Sequence, residues 1–171
     1  MGRTWDTAIG LGIGLLINSL VFPYDNSKQI RAAMKGVDRE VISFLEEMFD
    51  GDQILPDAEK MTAITRDIER QLKIFSEPRF LMGLRKRREE LKRLQQCEEK
   101  AEQLVAHMEV LCHIGTPGRL NEGNRSRLLS CGAVIGDNRK LSSVMERDVV
   151  TNYHVKEILK LRHELLAMLK K

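Results

Sequence analysis

The chain has 171 residues, 42% hydrophobic and 31% charged, with 28 basic against 25 acidic side chains. A formal charge of +3 is too balanced to argue nucleic-acid binding, and 5% aromatic content beside abundant Leu, Met, Glu, Lys and Arg favours helices over strands. Three cysteines, Cys97, Cys112 and Cys131, follow no disulfide spacing and fit a reducing cytoplasm.

The first element is residues 7–22, TAIGLGIGLLINSLVF, an uncharged apolar run. Bracketed by Trp5 and Tyr24, it reaches about 20 residues, or roughly 30 Å of helix, which is the thickness of a membrane core. Aromatic residues favour the two membrane interfaces. Gly10 and Gly14 form a small-xxx-small pair that lets a second membrane helix approach closely. Asn18 continues that face, and its amide needs a partner in lipid. A secretory signal fits poorly, because Asp6 stands at its start and no small-x-small cleavage site follows. A buried core helix stays open, although the glycines weaken a helix in water by about 1 kcal/mol each. Lys28, Arg31, Lys35 and Arg39 outnumber Arg3, so the C-terminal side is expected in the cytoplasm.

Arg3-Thr4-Trp5-Asp6-Thr7, Gly10, Gly14, Asn18, Phe22 and Pro23 together resemble the last membrane helix of aromatic acid exporter family proteins. These bacterial inner-membrane proteins are related to the fusaric acid resistance transporters. In the family this helix leads into a cytoplasmic helical domain. The resemblance covers about the first fifth of the chain, and the remainder matches that domain in character. It implies a cell (inner) membrane location. It also implies a role in assembling or regulating an efflux transporter for aromatic or organic acids. Substrate-path residues are then expected in membrane helices beyond this chain.

After a break at residues 23–26, Ser27 is suited to cap a helix over 28–49, with Ile30, Met34, Val37, Val41, Phe44, Leu45 and Met48 on one face. Asp57 is suited to cap a helix over 58–76, striped by Met61, Ile64, Ile68, Leu72 and Phe75. The longest helix is expected over 79–113. Its heptad-like seam is Phe80, Leu84, Leu91, Leu94, Cys97, Ala101, Leu104, Met108 and Leu111. Residues 114–125 read as a loop, and residues 126–135 as a short helix around Leu128 and Leu129, broken by Gly132 and Gly136. The last helix is expected over 138–169, with Leu141, Met145, Val149, Tyr153, Ile158, Leu159, Leu165, Leu166 and Leu169 inward. The fold class is therefore all-α: an N-terminal transmembrane-type helix with its flanks over 1–24, then an antiparallel four-helix bundle over 25–171.

Arg85, Lys86, Arg87 and Arg88 open a basic run suited to anionic lipid headgroups. The competing reading is a solvated helix face with Arg85–Glu89 and Lys86–Glu90 pairs. His107, Cys112 and His113, with Cys97 upstream, lack the spacing of a zinc site, so no metal or cofactor is expected. The loop GTPGRLNEG lacks the phosphate-binding pattern and a preceding strand, which favours a plain connection. Adjacent acidic pairs diverge on their helices, so no catalytic residue is assigned and an enzyme is not expected. Expected partners are membrane lipid, other membrane helices of the same family protein and a second copy in a homo-oligomer, with no nucleic acid. The alternative is a soluble helical protein–protein interaction module with residues 7–22 buried in its core or in a dimer.

Overall fold

A computed structural model describes residues 26–49, 59–76, 84–137 and 144–170. The apolar run at 7–22, with Gly10, Gly14 and Asn18, lies outside the described residues, as do Asp57, Phe80 and Leu141. Among the described residues there are five helices and no strand: α1 (Ser27–Phe49), α2 (Glu59–Ser76), α3 (Leu84–Ile114), α4 (Glu122–Ser130) and α5 (Met145–Leu169). None of them is long and apolar enough to cross a membrane.

Each long helix forms because one stripe of apolar side chains can be buried together. All seven stripe residues of α1 named from the sequence are buried. So are Met61, Ile68, Leu72 and Phe75 of α2, while Ile64 is half-buried. Leu94, Cys97, Ala101, Leu104, Met108 and Leu111 of α3 join the same core. A large apolar side chain buried this way contributes about 1.5–3 kcal/mol relative to exposure.

Polar contacts fix how the helices run. Arg93 meets the Met168 carbonyl at 3.0 Å, Lys100 meets Glu164 at 2.8 Å, and His107 meets His154 at 2.7 Å. Rising numbers on α3 thus pair with falling numbers on α5. On α1, Arg31 reaches the Leu169 carbonyl at 3.4 Å and Asp38 reaches Arg162 at 2.6 Å, in the same sense. Asn26, just before α1, donates to the Gln71 carbonyl of α2 at 2.8 Å.

Two expectations are corrected. α4 begins at Glu122 rather than near residue 126, because Asn121 caps it: its side chain accepts the Asn124 N–H at 2.8 Å. Leu128 is buried, but Leu129 is exposed. α4 ends at Ser130 with Cys131 as its C-cap, and the next residue, Gly132, takes a φ of 85°, the left-handed region that favours glycine. The chain then doubles back, with Val134 N–H on Glu46 and Gly136 N–H on the Phe49 carbonyl of α1.

The second correction concerns α5. Its core face is Thr151, Val155, Ile158, Leu159, Leu161 and Leu165. Met145, Val149 and Tyr153, expected inward, face outward at 83, 62 and 57% exposure. Both sets have helical spacing, so periodicity alone could not choose between them.

The loop after α3 is seated on α5 at close range. A methyl group on Gly118 would stand 2.5–2.6 Å from the backbone of Arg147 and Asp148. Gly118→Ala should lower stability by about 1–3 kcal/mol, because backbone cannot yield as a side chain does. Gly123→Ala, whose added carbon meets only the Asn121 side chain at 3.5 Å, should move the urea midpoint far less. Equal shifts in the two variants would remove the close-seating account.

Candidate functional site

The end of the helical body that adjoins residue 25 is built from arginines. Helix C-termini leave backbone carbonyls without partners and carry partial negative charge. Two of them meet here. Arg93 donates through Nε and Nη2 to the Met168 carbonyl of α5, at 3.2 and 3.0 Å, and Arg31 reaches the Leu169 carbonyl. Glu90 holds both guanidiniums: Arg31 Nε and Nη2 donate to it at 3.0 and 2.6 Å, and Arg93 lies at 3.8 Å. At the C-terminus of α2, Arg87 donates to the Phe75 carbonyl at 2.8 Å and stacks over the Phe75 ring at 4.7 Å.

The four residues expected at lipid headgroups therefore divide. Arg87 is half-buried and turned onto α2, where it caps the Phe75 carbonyl. Arg85, Lys86 and Arg88 are exposed. Arg85 makes the expected contact with Glu89, at 3.3 Å and fully in solvent, where such a pair is weak. Glu90, expected to face Lys86, is engaged by Arg31 and Arg93 instead. Lys28 at the start of α1 and Lys73 in the last turn of α2 are exposed at the same end. The result is a solvent-facing group of cations above an inner layer of arginines that cap carbonyls. The capping roles of Arg31 and Arg93 join helices distant in sequence, and no local pattern announces them.

His107 does not join Cys112 and His113. Its Nδ1 lies 2.7 Å from Nδ1 of His154 on α5, with the Tyr153 ring packed edge-on against both imidazoles. One Nδ1 must carry a proton and the other must present a lone pair. His113 donates to the Glu109 carbonyl of its own helix at 2.7 Å. Cys97 is buried on the α3 stripe, and desolvation raises its thiol above the ordinary range. Among the described residues no three His, Cys, Asp or Glu side chains are grouped to hold a metal ion.

The glycine-rich loop offers no phosphate cradle. Its N–H groups are taken by α5: Gly118 by Thr151 at 2.9 Å, Arg119 by Asp148 at 2.7 Å and Asn121 by Asn152 at 2.7 Å. A carboxylate at the centre of this seat would repel an anion.

Comparison with protein-family models, with curated proteins and with solved structures gives no match.

Burial, and then the neighbouring His107, push His154 below the ordinary histidine range. Its neutral form is thus favoured in the fold, and the unfolded chain binds the proton more readily. The resulting stability is complete above the unfolded value of about 6.5 and is lost as pH falls through the folded one. Urea midpoints should drop between neutral and mildly acidic pH, and His154→Gln should flatten that drop. An unchanged slope in the variant would show that His154 does not titrate as described.

Proposed function

We propose that the chain is a membrane-anchored helical domain of an aromatic acid exporter-like protein, acting in assembly or regulation of an efflux transporter for small aromatic or organic acids. The observation that carries this reading is the position of the exposed cations. Lys28, Lys73, Arg85, Lys86 and Arg88 stand at the end of the body from which the chain continues into residues 7–22. A membrane helix at 7–22 would bring that end against the headgroups, where each basic residue gains about 1 kcal/mol beside anionic lipid. In this reading the four long helices form an antiparallel bundle on the cytoplasmic side. Gly10, Gly14 and Asn18 pack against other membrane helices, and Arg85, Lys86 and Arg88 contact lipid. The domain acts by binding and carries no catalytic group.

The exposed apolar line on α5 favours, as a second reading, an interaction module that works through protein contacts alone. Fractionation separates the two. The full chain should sediment with membranes and resist carbonate extraction, and removal of residues 1–24 should leave a helical, soluble body. That body should bind vesicles containing phosphatidylglycerol but not neutral ones. Replacing Arg85, Lys86 and Arg88 by Gln should weaken this binding by about 100-fold at low salt, from three contacts of about 1 kcal/mol each. A full chain that stays in the soluble fraction contradicts the membrane reading.

A further inference from the structure

α5 is apolar on two opposite faces. One face is core. The other carries Met145, Val149 and Tyr153 at steps of four, with exposed Val150 beside them and Val110 of α3 exposed as well. An exposed apolar ridge of this kind marks a contact surface.

The charges flanking the ridge indicate the occupant. Glu146 lies at its N-terminal end, while exposed Lys156 and Lys160 continue the same line toward the C-terminus. We infer that a second copy of this chain docks here, α5 against α5 in opposite directions, with Val149 of each copy facing Tyr153 of the other. That register sets Glu146 of one copy opposite Lys156 of the other, twice, about a two-fold axis. A parallel pairing would instead bring Lys156 against Lys156, which repels. Two-fold contacts of this kind place the same patch on both partners, so a self-complementary ridge is what the symmetry requires. The proposal does not rest on the membrane reading.

Analytical ultracentrifugation of the full chain in density-matched detergent tests it, or in plain buffer should the chain prove soluble. The wild type should be a dimer at micromolar concentration, and Met145→Glu with Val149→Glu should be a monomer of unchanged helicity. Glu146→Lys alone and Lys156→Glu alone should each weaken association by about tenfold. The two together should restore it, a readout that stands even where the apolar variant fails to fold. A monomeric wild type, an undisturbed dimer in the Met145/Val149 variant, or a double charge exchange no better than the single ones would overturn the proposal.

Discussion

Glu90 holds Arg31 and Arg93 where α1, α3 and α5 meet, and this three-residue tie orders one end of the molecule. It joins helices that are 59 positions apart along the chain in the case of Arg31 and Glu90. It also aims two guanidiniums at the last carbonyls of α5. All three side chains are only partly exposed, between 25 and 29%, so solvent screens them less than a surface pair. Without Glu90 the two arginines would be left close together and uncompensated beneath a surface that is already basic. The outer group of Lys28, Lys73, Arg85, Lys86 and Arg88 can be concentrated at this end because the inner layer is neutralised by a carboxylate and by helix C-termini.

The same helix carries the molecule's other feature at its opposite end. α5 runs from the outward ridge at Met145, past the loop seat at Asp148, Thr151 and Asn152, to the arginine-capped carbonyls at Met168 and Leu169. The seat explains how the ridge is held rigid. Asn152 donates to the Arg119 and Asp148 carbonyls, each at 2.7 Å, and accepts from Asn121 and Asn124. The first turns of α5 are thereby fixed by polar contacts on one flank, while their apolar face stays in water. Two chemically distinct surfaces, one cationic and one apolar, thus lie near opposite ends of a single rigid body.

How much of this was legible in the sequence depends on how local each cause is. The stripes of α1 and α2 were readable because one set of positions is apolar and the rest polar. The Arg85–Glu89 pair was readable because four residues on a helix are neighbours. On α5, Ile158, Leu159 and Leu165 are buried as expected, but Met145, Val149 and Tyr153 were misread because two apolar sets share one helical period. The start of α4 was missed because the capping residue Asn121 lies inside a run of loop-forming residues. Arg87 on Phe75 and His107 on His154 join separate helices, so neither could be found from spacing. The stretch that carries the family resemblance, residues 3–23, lies outside the described residues and keeps the weight that its own sequence gives it.

In the proposed arrangement the basic end faces a membrane and the loop-and-ridge end points away from it. A fluorophore attached at position 86 or at position 122 of the full chain in phosphatidylglycerol vesicles, with a headgroup-bound quencher, measures this directly. Quenching should be strong at position 86 and slight at position 122. Equal quenching at the two positions, or the reverse order, would contradict this arrangement.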